Sequence, residues 1–142
     1  MKRFASLFLA LAPLLFLSPA TADQPLGQTY WTGVAGQVNA ALDQAEVLYR
    51  EGDAKGAKKA ILHAYFGVFE STKMEAAMRT EIGAKHTFKV ERRFGGIRKA
   101  IKKGKTTQEI KELTEELKGL LLADAGQLDA AGIPKEVFRV NQ

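Results

Sequence analysis

The chain has no cysteine. Disulfides, thiolate metal sites, covalent haem attachment and cysteine nucleophiles are therefore excluded. It has only 2 histidines and 1 tryptophan among 142 residues, so any imidazole site must be built around His63 or His86. There is no Gly-x-Ser-x-Gly, no P-loop and no dinucleotide fingerprint, and neither His-Glu-x-x-His nor the Glu-x-x-His of di-iron bundles occurs. No enzyme activity is expected. Beyond residue 17 no apolar run approaches the roughly 20 residues that a membrane-spanning helix needs.

The chain does carry an apolar run at its start, from Phe4 to Leu17, preceded by Lys2 and Arg3 and followed by Ser18, Pro19 and the small residues Ala20, Thr21 and Ala22. A charged end, an apolar core and a small-residue cleavage site read as a secretory signal over residues 1–22, removed after Ala22. The expected mature chain, residues 23–142, has the size of one domain and lies in the periplasm. Removing Lys2 and Arg3 lowers the formal charge from +5 to +3. An exported protein with that surplus meets no nucleic acid; it reads as a monomer or small homo-oligomer, peripheral to a membrane at most.

Helical spacing dominates what remains. Trp31, Val34, Val38, Leu42, Ala45 and Tyr49 recur every three or four residues, which predicts a helix over Thr29–Arg50. Glu51, Gly52 and Asp53 end it and start a second, over Ala54–Ile82, with Ile61, Ala64, Tyr65 and Val68 on one face and Phe66, Met74 and Ala77 on another. Gly83 breaks the pattern. A third helix, Lys85–Lys103, shows Val90, Phe94, Ile97 and Ile101 on one stripe, with a kink or close contact expected at Gly95 and Gly96. Thr106 and Glu109 read as a capping box for a fourth, carrying Ile110, Leu113, Leu117, Leu120, Leu121 and Leu128 to Ala131 before Gly132 and Pro134. The predicted fold is all-α, an antiparallel four-helix bundle.

His63, Tyr65, Glu70, Met74, Glu75, Glu81, His86 and Glu91 form the densest set of chemistry-bearing side chains. At about 100° per residue, Glu75 falls about 40° from the apolar direction of Ile61. It must then be partnered or sit at an edge. Glu91 flanks the stripe of its own helix, so the two carboxylates are expected to approach each other. Oxygen and imidazole donors without thiolate suit a first-row metal ion. Against that stand Arg79, Arg92, Arg93 and Arg98, which can pair with the same acids. The basic run Arg92, Arg93, Arg98, Lys99, Lys102, Lys103 and Lys105 can meet phosphate or anionic headgroups, or simply face water.

The pieces Ala64-Tyr65-Phe66, Phe69-Glu70, Met74-Glu75, Lys89-Val90-Glu91, Phe94 and Ile97-Arg98 resemble a pattern in the extracytoplasmic amino-terminal domain of bacterial high-affinity iron permeases. The permease itself carries Arg-Glu-x-x-Glu in membrane helices, whereas Arg50-Glu51 here runs into Gly52, Asp53 and Ala54. The resemblance implies a separate extracytoplasmic domain that captures iron and supports its uptake by a membrane permease or related transport component. It points to Glu70, Glu75 and Glu91 as metal ligands; His63 and His86 join them on chemical grounds. Copper, manganese and zinc are alternative cargoes. The competing expectation is an adaptor bundle that binds a membrane protein or an anionic surface through Tyr30, Trp31 or the basic stripe.

Overall fold

The computed structural model describes residues 29–136; the expected signal segment, residues 1–22, lies outside them. Every element among the described residues is helical, and no helix there is long and apolar enough to cross a membrane. In chain order these are α1 (Tyr30–Arg50), α2 (Ala54–Leu62), a π-helical stretch (His63–Glu70), α3 (Met74–Met78), a second π-helical stretch (Arg79–Gly83), α4 (Ala84–Lys102) and α5 (Thr107–Ala130).

The first stripe forms as its spacing requires. Trp31, Val34, Val38, Leu42 and Ala45 are all buried, and α1 packs along both α5 and α2. The α1–α5 pair runs in opposite directions. Near the start of α1, Trp31 donates its indole N–H to the Ile133 carbonyl beyond the end of α5, at 2.7 Å; near the end of α1, the Tyr49 hydroxyl donates to the Lys105 carbonyl before α5, at 2.6 Å. Trp31 is thus fully enclosed, and the expectation that it could serve as a partner-facing residue is corrected.

Asp129, on α5, completes α1. The Thr29 side chain makes no capping bond, so the orphan amides at the start of α1 need another acceptor. The buried Asp129 carboxylate accepts from Trp31 N at 2.8 Å, Thr32 N at 2.9 Å and the Thr32 hydroxyl at 2.6 Å. The Thr106–Glu109 capping box forms as read from sequence. With Lys105 and both Thr106 groups donating to it, the Glu109 carboxyl is lowered to about 2.

The second expected helix is where the chain departs most from its periodicity. It does not run unbroken to Ile82. The Ser71 hydroxyl donates to the Gly67 carbonyl at 2.6 Å and that of Thr72 to the Val68 carbonyl at 2.7 Å, local bonds of the kind that compete with helix propagation. Lys73 takes a left-handed conformation, φ 68°, and α3 restarts at Met74. The break and the π-helical stretches reset the angular phase. Met74 and Ala77 are buried as expected, while Phe66, assigned to the same face, stands 56 % exposed. Gly83, at φ 119° and ψ 148°, makes the sharp junction into α4. Gly95 and Gly96, by contrast, sit within continuous helix, and a methyl group added at either would touch nothing. The expected close contact there is absent among the described residues.

Val90, Phe94, Ile97 and Ile101 of α4 join the residues above, Ile61, Val68, Phe69 and Met78, and the α5 stripe in one hydrophobic core. The helix α4 packs on α5 and α2.

Candidate metal centre

The local breaks bring two acids, Glu75 and Glu91, together near one aromatic ring. The π-helical stretch after α2 brings Tyr65 against Phe94 of α4, with ring centroids 5.2 Å apart. Glu75 lies in the first turn of α3, and Glu91 is one turn before Phe94. The two carboxylates meet as the sequence leads one to expect, and the group between them is Arg79. Its Nη2 donates to Glu75 Oε1 at 2.5 Å and to Glu91 Oε1 at 2.6 Å. Glu75 and Glu91 are each less than a quarter exposed, whereas Arg79 is 47 % exposed, so the cation closes the pair from the solvent side.

The electrostatics follow from that geometry. Burial pushes the Glu91 carboxyl above its ordinary value; Glu75, within hydrogen-bonding reach, adds to the rise, and Arg79 offsets only part of it. Tyr65 is raised too, by burial first and then by the charges of Glu91, Glu75 and Glu70. Glu70 is thus close enough to act on the phenol, though its own side chain is exposed. Arg79 is held more firmly protonated, chiefly through its bond to Glu75. Chemically the cluster is a pair of partly buried carboxylates whose charge is met by one guanidinium.

The histidines go elsewhere. His86, half-buried on α4, sets Nε2 at 3.0 and 2.9 Å from the two oxygens of Asp124, a buried residue of α5. His63 is exposed, and its ring lies back over Gly67, whose missing side chain leaves the space; a methyl group there would come within 2.4 Å of Nδ1. The five expected ligands therefore divide into Glu75 and Glu91 on Arg79, Glu70 beside Tyr65, His86 on Asp124, and His63 over Gly67. Among the described residues, the three acids whose oxygens all lie within 4.8 Å of one another are a different set, Asp43, Glu46 and Glu115. That set surrounds Lys118, whose Nζ is 2.5, 3.5 and 2.6 Å from them in turn. Burial acts to lower the Lys118 pKa, but the bonds to Asp43 and Glu115 and the charge of Glu46 outweigh it and raise it. This ammonium group occupies the space among the three acids and offsets part of their charge.

Sequence reasoning missed Asp124 and Asp129. A signal existed. Ile110, Thr114, Leu117, Leu121, Asp124 and Leu128 follow the alternating four- and three-residue spacing of a buried stripe, so Thr114 and Asp124 stand where apolar residues are expected. Thr114 satisfies its hydroxyl on Glu46 and on the Ile110 carbonyl, and Asp124 satisfies its carboxylate on His86.

Beside the acid cluster lies an open cleft of about 250 Å³ between the α2 region and α4, with Ile61 and Phe94 inside it and Phe66, Phe88, Arg92 and Arg98 around it. Phe66 and Phe88 are each more than half exposed.

Comparisons with family models, with curated proteins and with solved structures gave no match to this chain.

Proposed function

We propose that the chain is a periplasmic metal-binding component, with iron as its cargo, that captures the ion and supports its uptake by a membrane permease. The observation that carries this reading is the convergence of Glu75 and Glu91, from separate helices, on a single half-exposed cation. Two partly buried carboxylates of one charge need a positive partner. Arg79 supplies it from a flexible side chain that can swing into solvent, leaving a site for an ion. Tyr65, whose phenol feels the charges of both acids, adds an oxygen nearby, and the resemblance to the iron-permease extracytoplasmic domain falls on Glu70, Glu75 and Glu91. Copper, manganese and zinc fit the donor chemistry as alternative cargoes. In this reading the four long helical runs form an antiparallel four-helix bundle, for which the opposed run of α1 and α5 speaks. The secretory signal over residues 1–22 delivers it to the periplasm.

The test is calorimetric titration of ferrous, ferric, cupric and manganous ions into the wild type and into Glu75→Gln, Glu91→Gln and Arg79→Gln. The two glutamate variants should lose most of the affinity. Arg79→Gln should bind more tightly, because the internal competitor is gone. Binding should weaken as pH falls, since protons compete for the same lone pairs. Equal affinity in all four proteins would end the reading. In that case an adaptor that meets a membrane partner or an anionic surface becomes the better account, and the exposed side of α4 is the observation in its favour.

A further inference from the structure

The helix α4 carries seven basic residues and one acid, Glu91. Its buried stripe centres on Val90, Phe94, Ile97 and Ile101. At about 100° per residue, the residues within about 60° of the opposite direction are Lys85, Phe88, Arg92, Lys99 and Lys103, together with Gly95 and Gly96. All are exposed. Among the described residues, none of those four cations lies in an ion pair; the ion pairs of this region go to Arg93, His86 and Lys105 instead. The outer side of α4 is therefore a strip of unneutralised positive charge about five turns long, with two side-chain-free positions in its middle.

Two aromatic rings accompany the strip. Phe88 stands 53 % exposed within it, with the Arg92 guanidinium 5.7 Å above its ring centroid. Phe66 projects from the neighbouring π-helical stretch across the shared cleft, 56 % exposed. Neither ring is needed by the core, which closes beneath them on Phe69, Phe94 and Ile61. Basic side chains beside exposed aromatics are the composition of a helix that lies on a lipid surface, where the cations meet headgroups and the rings enter the acyl boundary.

We infer that the outer side of α4, with Phe66 and Phe88, docks on an anionic lipid bilayer surface. Charge complementarity selects this occupant. A second copy of the chain would set the same cations against each other, whereas an anionic membrane relieves their mutual repulsion without requiring a matching shape. The inference does not depend on metal binding, since Glu75 and Arg79 take no part in the strip.

The experiment is co-sedimentation of the chain, purified in the form that cells accumulate, with vesicles of phosphatidylcholine alone and of phosphatidylcholine mixed with phosphatidylglycerol, in the presence of a chelator. The wild type should sediment with the mixed vesicles and not the neutral ones. Its binding should fall as salt rises, because screening shortens the reach of exposed charges. At about fivefold in partition for each cation, the double variant Arg92→Gln with Lys99→Gln should bind about 25-fold more weakly. Phe88→Ser should weaken binding at every salt concentration, whereas Gln108→Ala, an uncharged change on α5, should bind like the wild type. All four positions are at least partly exposed, so circular dichroism should show unchanged folding. Equal sedimentation with neutral vesicles, or undiminished binding by the double variant, would overturn the inference. So would capture of the chain by an acidic polyglutamate peptide but not by anionic vesicles, which would make the strip a protein-binding surface.

Discussion

Replacing Asp129 with alanine directly tests the cap that α5 places on α1. The substitution removes one carboxylate that accepts three hydrogen bonds, at 2.8, 2.9 and 2.6 Å, two of them from backbone amides at the start of α1. Loss of a helix cap costs about 1 kcal/mol and up to about 2. A hydrogen bond to a charged group contributes about 1.5–3 kcal/mol. Because the three bonds share one acceptor they do not add, and because Asp129 is only 5 % exposed, water replaces the carboxylate poorly. Asp129→Ala should therefore cost about 2–4 kcal/mol, a large part of the total of about 5–15 kcal/mol typical of a domain. Asp129→Asn keeps one acceptor oxygen and loses the charge that faces the positive end of α1, so it should cost about half as much. Urea denaturation followed by far-ultraviolet circular dichroism measures both, and an unchanged m-value would show that the same surface is exposed on unfolding. A cost for Asp129→Ala within about 0.5 kcal/mol, the range of an ordinary surface change, would refute the cap.

Arg79→Gln should destabilise the protein at neutral pH and less so in acid. Glu91 has a raised pKa, so its contribution to stability is fully present below the unfolded value, about 4.3, and is lost as pH rises through the folded value. Removing Arg79 takes away the charge that offsets this loss, and urea midpoints for wild type and variant should converge as pH falls towards about 4; a gap independent of pH would contradict the assignment. Gly83→Ala should cost about 1–3 kcal/mol, because φ 119° with ψ 148° lies in a region almost reserved for glycine. Thermal unfolding checks it, and an unchanged midpoint would mean that the α3–α4 junction adopts another path.

The helical class, the stripes of α1 and α4, and the capping box were legible because each depends on local spacing; the α5 stripe was legible only in part, since Leu113 is exposed and Leu120 only half-buried while Thr114 and Asp124 are buried. The meeting of Glu75 with Glu91 was legible too, through the position of each beside its own apolar stripe. The break at Ser71–Lys73 was not. Lysine gives no sign of a left-handed residue, and serine and threonine back-bonding is weaker as a signal than glycine or proline. Missing the break misplaced Phe66, since a helical wheel carries no phase across a π-helical stretch. The partners of His86 and Trp31 lie 38 and 102 positions away along the chain, beyond the reach of any periodicity. Arg79 was visible only as one of several neighbouring cations, and nothing in one dimension singles out the arginine that stands between two acids.

The two hydrogen bonds that tie Trp31 to Ile133 and Tyr49 to Lys105 have a mechanical consequence. Each joins a side chain at one end of α1 to a backbone carbonyl outside the opposite end of α5, so sliding one helix along the other by a single residue, about 1.5 Å, would strain both. With Asp129 fixing a third point, α1 and α5 behave as a clamped beam. The other limb is segmented, by Ser71–Lys73 and by Gly83, into pieces as short as α3 with its five residues. Amide exchange should accordingly be slow along α1 and α5 and faster from residue 71 to 83, the segment that holds Glu75 and Arg79. Arg79 thus ties Glu75, on that compliant segment, to Glu91 on the continuous helix α4, so loss of this one guanidinium would free the short segment from the longer helix beside it.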